Sequence, residues 1–537
     1  MKTMSFDFNS RRSMVIGRRG LVSTSNPLAA QAGLDILRQG GNAADAAIAT
    51  AAMLNVTEPA STGIGGDCFA LYYDAKTGEI TALNGSGRSP AALSLDYLKA
   101  EGITEIEERG ALAVSVPGAA QGWEDLLKRH GRMTLANVLK DAIYYASEGY
   151  PVHPVFASGW QFMESFLQKK PNTGDYLPGG RAPQAGQVMQ LPGLAKTFRA
   201  VAEGGAEAFY NGEIADAIVK TLQENGGVIT HDDLKAHHST WDEPIKTDYR
   251  GVTVYECPPN GQGLAALQAL NIFEQYDPSA MDDVERLHTM VEAMRLAFAD
   301  ARRYVADMAT NPAPLDGLLS KAYAQERAKL ISPEKAMDPP TYGQPIAGSD
   351  TVYLSVIDGD GNACSFINSL YMGFGTGIVA EGTGVFLQNR GALFELDPDH
   401  PNALAPGKRP YHTIIPGMAT KDGNVYASFG VMGGFMQPQG HFQVISSMVD
   451  DDLNPQEALN RPRFCLAKGT SDSPLMLEEE LGVKVMAAMS AKGHNVNPTS
   501  GRMRGVFGDG HIIRRDPETG VLYGGADPRK DGLVAGF

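Results

Sequence analysis

The chain is 537 residues long, 43% hydrophobic and 20% charged, with a formal net charge of −16. Such a length exceeds the roughly 100–200 residues of an ordinary domain, so two intimately packed segments around a large core are expected. The negative charge argues against nucleic acid or an anionic membrane as a partner, because either would be repelled.

Residues Met1 to Arg12 lack the apolar run of about 7–15 residues that a secretory signal needs. No apolar stretch reaches the roughly 18 residues of a membrane span. Cys68, Cys257, Cys364 and Cys465 are scattered without a C-x-x-C pair, so a reduced cytoplasmic protein with no metal site and no cofactor is expected. In chain order, residues 25–55 read as one long Ala-rich helix entered through Asn26-Pro27. Residues 69–73 and 80–83, joined through Lys76-Thr77-Gly78, read as a hairpin. Residues 120–330 carry mainly helical patterns, among them 264–276 and 284–305. After residue 351 the texture changes to short β-rich runs with Gly turns at 352–357, 363–367, 384–387 and 425–430, before a helix near 436–451. There is no fixed-period repeat, and periodicity alone gives a mixed α and β protein.

The boundary between these halves is abrupt. A linker-like run from Pro339 to Asp350 gives way to the alternating strand Thr351-Val352-Tyr353-Leu354-Ser355-Val356-Ile357-Asp358. Cleavage after Asp350 would give Thr351 a free α-amine beside its own hydroxyl, placing base and nucleophile on one residue. The plain alternative is a threonine that merely opens a strand. A serine hydrolase is disfavoured, because the chain has no G-x-S-x-G elbow.

The runs Asp358-Gly359-Asp360-Gly361-Asn362-Ala363, Phe374-Gly375-Thr376-Gly377-Ile378, Pro406-Gly407-Lys408-Arg409-Pro410, Gly433-Gly434 and Asp527-Pro528-Arg529 together resemble the γ-glutamyltranspeptidase family of N-terminal nucleophile hydrolases. The resemblance extends into the N-terminal half through Ile36 to Ala47, Gly65-Gly66 and Val116-Pro117-Gly118. It implies an α+β fold, the four-layer αββα sandwich, and self-cleavage into a large subunit of residues 1–350 and a small one of 351–537. The connecting linker lies near 333–350. The expected assembly is a heterodimer of the two fragments, with a dimer of these as the alternative. Thr351 becomes the nucleophile and Gly433-Gly434 the oxyanion hole, where two glycine N–H groups can approach a developing alkoxide closely. Ser369 matches a hydroxyl residue that hydrogen-bonds to the nucleophile, with an ordinary strand serine as the alternative.

The departures from the family pattern speak to substrate. Glutamyl-specific members offer an acid to the substrate ammonium, and here Leu393 stands in its place, with Arg390 replacing a neighbouring amide. A buried leucine cannot pair with an ammonium, and leaving that charge unpaired is costly. Tyr371 replaces a small amide residue, and His412-Thr413 replace two serines of the carboxylate clamp. Arg390 can pair bidentately with a carboxylate, while Tyr371, Phe374 and His412 would narrow the pocket. Arg109 falls near the family's carboxylate-binding arginine, with the loop spacing changed by a residue. Arg390 and Arg109 each have an alternative as ion-paired loop residues, and Arg88 and Arg529 read as loop pins. The pattern resembles the branch holding the oxamate amidohydrolases of purine and allantoin breakdown and the glutathione-hydrolase-like proteins. The leading substrate is therefore a small acid amide, oxamate, hydrolysed to oxalate and ammonia. The alternatives are a γ-glutamyl hydrolase or transpeptidase, a cephalosporin-type acylase, or an uncleaved binding protein without activity.

Overall fold

A computed structural model describes residues 12–338 and 350–537, with Asp350 through its backbone only. The expected linker near 333–350 therefore lies largely outside the described residues. Two seven-stranded sheets form the centre. One runs from edge to edge as Val15–Gly17, Leu522–Ala526, Asp509–Arg515, Asn424–Met432, Gly417–Lys421, Val252–Glu256 and Ile245–Tyr249. The other runs Leu533–Gly536, Gly20–Thr24, Asp350–Asp358, Ala363–Tyr371, Asp67–Tyr73, Ile80–Gly85 and Thr240–Asp242. Each sheet takes strands from both sides of position 350. Neighbouring strands are antiparallel throughout.

The strand period explains the layering. Tyr353 and Ile357 point into a core shared with Phe69, Leu71, Met418, Val425 and Ile513, which fills the space between the sheets. The alternate residues Val352, Leu354 and Val356 face the other way, onto helices Pro27–Arg38 and Ala43–Thr57. Helices Gly263–Phe273, Asp283–Tyr304 and Met436–Asp450 cover the outer face of the first sheet through Val254, Ala427, Phe429 and Ile512. With both faces covered, the central strands are apolar on both sides. The result is the four-layer αββα sandwich expected from the sequence.

Several elements differ in extent from their sequence reading. The single helix expected over 25–55 is two helices. Gly40, at φ +94°, ends the first and Asn42 starts the second, its side chain accepting from the N–H groups of Ala44 and Asp45. The Ala periodicity runs through the break because the second helix is buried all round, every residue of Ala43–Thr57 included, while the first buries one Ala- and Leu-rich face and exposes Gln31 and Arg38. The run at 384–387 forms only the short strand Val385–Phe386, while the run at 363–367 extends to Tyr371. All four cysteines are buried and free. No helix among the described residues is long and apolar enough to cross a membrane.

Candidate active site

Thr351 lies one residue inside strand Asp350–Asp358 and is fully buried. Asp350 pairs with Tyr371 and Val352 with Asn368, so the register shifts at Thr351, as in a β-bulge. Its Oγ1 sits 3.2 Å from Ser369 Oγ, and either hydroxyl can be the donor. Ser369 Oγ also accepts from the Tyr371 N–H at 2.9 Å and from Arg390 Nη2 at 3.3 Å.

Arg390 is fully buried in the short turn Arg390–Leu393. Nη1 donates to Thr413 Oγ1 at 2.6 Å, the guanidinium lies 4.6 Å from the Tyr371 ring centre, and Nε has no partner among the described residues. Burial brings its pKa down to about 10, with the carboxylate of Asp67 opposing, so it stays charged at neutral pH. Asp67 in turn is pushed up to about 6 by burial, against the pull of Arg390. Its oxygens accept from Gly87 N–H and Gln388 Nε2, both at 2.9 Å, and from His412 Nε2 at 3.0 Å. Burial, with Arg390 and Arg409 nearby, holds His412 well below the usual histidine range, so the ring is neutral and Nε2 carries the proton given to Asp67. His412 is thus aimed at Asp67, with its ring edge against Phe69.

Gly433 and Gly434 join strand Asn424–Met432 to helix Met436–Asp450 at φ +122° and +60°, angles that favour glycine. Gln262 Nε2 donates to the carbonyls of both Gly434, at 2.8 Å, and Thr413, at 2.6 Å, which ties the glycine turn to the residue that binds Arg390. A Cβ at Gly433 would sit 3.1 Å from Gly508 Cα as well as at a forbidden angle. On the oxyanion role expected from the sequence, Gly433→Ala should lower kcat by about 100-fold or more; a steady-state assay checks this.

The remaining residues singled out in the sequence take other places. Arg109 Nη1 donates to the carbonyls of Gly373, at 2.6 Å, and Gly375, and its guanidinium stacks on Phe166, so it braces the turn after strand Ala363–Tyr371. That turn holds Tyr371 at φ +80° and Phe374 at +60°, a strained backbone for bulky residues. Phe374 packs against Trp160 and Phe386 in the core, which corrects its expected place in the pocket wall. The Tyr371 hydroxyl is buried without a hydrogen-bond partner among the described residues. Leu393 is buried in an apolar cluster with Tyr371, Tyr411 and Phe435, and it also lines a cavity with Glu107, Glu108 and Glu395. Arg529 bonds Glu478 at 2.5 Å and Asp527 at 3.0 Å and pins its loop. Asp67 and Gln262 were missed by sequence reasoning, although Asp67 directly follows the Gly65-Gly66 pair.

Three cavities lie beside outer residues of this centre and are not lined by Thr351 or Arg390. One of about 120 Å³ is lined by Gly433, Phe435 and Lys530, and another of about 320 Å³ by Gly373, Trp160, Glu58 and Lys530. A third, about 720 Å³, is lined by Arg109, Arg302, Glu108 and Leu393. Glu58 has one carboxyl oxygen without a partner among the described residues, and burial pushes its pKa up to about 7, with Lys530 opposing. Between its ordinary value and about 7 the folded chain holds a proton that the unfolded chain has lost, so stability falls as pH rises through that window. Glu58→Gln removes this loss. Its melting temperature should gain on wild type between pH 4.5 and 8, and a pH-independent difference in thermal melts would contradict the burial argument.

The γ-glutamyltranspeptidase family model matches residues 29–537. The chain belongs to the γ-glutamyltranspeptidase family. It is 40% identical to the glutathione hydrolase-like YwrD proenzyme of Bacillus subtilis over 97% of this chain and 99% of that one. It is 34% identical to the oxamate amidohydrolase proenzyme of Klebsiella pneumoniae, again over 97% and 99%. A cephalosporin acylase structure from Bacillus halodurans superposes with TM-score 0.93 at 46% identity, covering 100% of this chain and 99% of that one. Membership makes the chain an enzyme of this hydrolase family, and the αββα sandwich is the family's fold.

Proposed function

We propose that the chain is a self-processing amidohydrolase with Thr351 as its N-terminal nucleophile, acting on a small acid amide, foremost oxamate. Cleavage after Asp350 divides it into residues 1–350 and 351–537, and the strands each half gives to both sheets keep the halves together. The shift in register between Asp350 and Val352 supports this site, since a bulge removes the scissile bond from the regular ladder. A cytoplasmic location belongs to the same reading and is supported by the free, buried cysteines.

Thr351 Oγ attacks the amide carbon while its α-amine takes the hydroxyl proton, and the N–H groups of Gly433 and Gly434 receive the oxyanion. Collapse breaks the C–N bond. The α-ammonium gives its proton to the departing nitrogen, which leaves as ammonia. Water then attacks the Thr351 ester, the α-amine again taking the proton, and oxalate is released.

One observation carries the substrate class: Arg390 is a buried guanidinium with no directly bonded carboxylate among the described residues, one hydrogen bond from Ser369, which is itself 3.2 Å from Thr351. Such a cation calls for an anion close to the reacting carbonyl. In oxamate the carboxylate is bonded to that carbonyl. The cavity of about 720 Å³ lined by Arg109 and Leu393, together with the likeness to the Bacillus halodurans acylase, favours a second reading in which a longer acyl group is cleaved. Leu393 counts against a γ-glutamyl group in either case.

Ammonia release from oxamate, run beside a γ-glutamyl anilide and an N-glutaryl amide, separates these readings. Turnover of oxamate is the expected result. Turnover of the glutaryl amide alone would establish the second reading, and turnover of the anilide alone would overturn both.

A further inference from the structure

The fully buried carboxylate of Asp67 takes no part in the proton transfers at Thr351. Strand Asp67–Tyr73 sets it directly opposite Ser369 of strand Ala363–Tyr371, so the two side chains share one face. By alternation this is the face of Phe69 and Ile367, which fill the space between the sheets. Arg390 donates to Ser369, and Gln388, two residues before Arg390, donates to Asp67 Oδ1 at 2.9 Å. Arg390 is also the charge that pulls hardest on Asp67. In the free site Asp67 is therefore the counter-charge of Arg390, although the two are not directly bonded.

The partners of Asp67 are all donors. Oδ1 accepts from the Gly87 N–H and Gln388 Nε2, and Oδ2 accepts from His412 Nε2. A proton placed on the carboxyl alone would find no acceptor among them. His412 Nδ1 differs, being buried, unprotonated and without a hydrogen-bond partner among the described residues. The pair thus has one open place for a proton. Once Nδ1 is protonated, the pair is an imidazolium beside a carboxylate or, with the shared proton moved from Nε2 to Oδ2, a neutral imidazole beside a carboxylic acid. In both forms its single negative charge is gone.

We propose that a carboxylate arriving at Arg390 brings one proton from solvent onto His412 Nδ1, making Asp67 and His412 positioning residues that set the affinity for acid amides through Arg390; the inference rests on the reading that Arg390 receives the substrate carboxylate. Two anions facing one buried guanidinium leave a charge uncompensated, which burial makes costly. The proton removes it. Burial already pushes Asp67 up to about 6, and a second anion raises it further, because a like charge disfavours ionisation. Other groups nearby offer no such relief. Arg409 faces both residues, but Asp307 and Asp242 share its charge. Burial pushes Cys68 and Tyr210, which also face Asp67, far up, so both stay neutral. The α-amine released at Thr351 ordinarily titrates higher, at about 7.7–8.0. Binding that takes up a proton weakens as protons become scarce, so affinity for the anion falls as pH rises above about 6, by up to about ten-fold per unit.

The test is calorimetric titration of the purified chain with oxalate, in pairs of buffers of different ionisation enthalpy, which counts the protons taken up. At pH 7 wild type should take up about one proton per oxalate, and its Kd should rise about five-fold between pH 6 and 7. Asp67→Asn, which has no charge to neutralise, should take up almost none and bind with a flat profile over that range. His412→Gln, which keeps a donor for Asp67 but has no ring nitrogen to protonate, should do the same. A merely structural role would weaken binding by one factor at every pH and leave the proton count unchanged. Wild-type binding without proton uptake would overturn the proposal even if both variants failed to fold, and so would folded variants that keep the wild-type count. If oxalate does not bind, or binds Arg390→Leu as tightly as wild type, the substrate reading fails first and this inference falls with it.

Discussion

Thr351→Ala is expected to accumulate as a single chain of 57.3 kDa, uncut and inactive. Two losses combine in this variant. The hydroxyl that attacks substrate is gone, and so is the hydroxyl that would initiate the backbone rearrangement releasing the α-amine. Activity should fall at least about 1,000-fold, in line with removal of a nucleophile elsewhere. Thr351→Ser keeps the hydroxyl and should still be cut, more slowly because serine has more rotamer freedom. Intact mass and a turnover assay read both outcomes. Normal cleavage of Thr351→Ala would mean that another group attacks the Asp350–Thr351 bond.

Arg390→Leu is expected to separate substrates that carry a carboxylate from those that do not. On oxamate, kcat/KM should drop about 10- to 100-fold, the worth of charge-assisted hydrogen bonds to a carboxylate. On a neutral amide such as acetamide, turnover should change little. Stability should fall, because removing one charge of a buried, coupled pair leaves the Asp67 carboxylate, already pushed up to about 6, without its compensating charge. Equal losses on both substrates would assign Arg390 to holding Ser369 and Thr413 rather than to the substrate.

The sequence carried the site unevenly, and chain separation explains why. Thr351 and Gly433-Gly434 could be singled out as candidates because their signals are local: a change of texture at one position and a pair of small residues after a strand. Arg390 was legible as a departure from a pattern, but its partners were not, for Thr413 and Ser369 reach it across 23 and 21 residues. Asp67, which receives His412 across 345 residues, follows the Gly65-Gly66 pair, but nothing local announces its partner. Phe374 shows a different limit. Its bulk suggested a pocket wall, and only packing against Trp160 and Phe386 reveals a core residue. In the fold, alternation in strand 350–358 predicted which side chains face the other sheet. The helical period did not report the break at Gly40, because the apolar pattern runs on through both helices.

The central claim is that Thr351 becomes an N-terminus. Intact mass with N-terminal sequencing of the purified wild-type chain tests it most directly. The account predicts two co-purifying fragments, the smaller beginning Thr-Val-Tyr-Leu-Ser. A single uncut chain that still hydrolyses amides would contradict it.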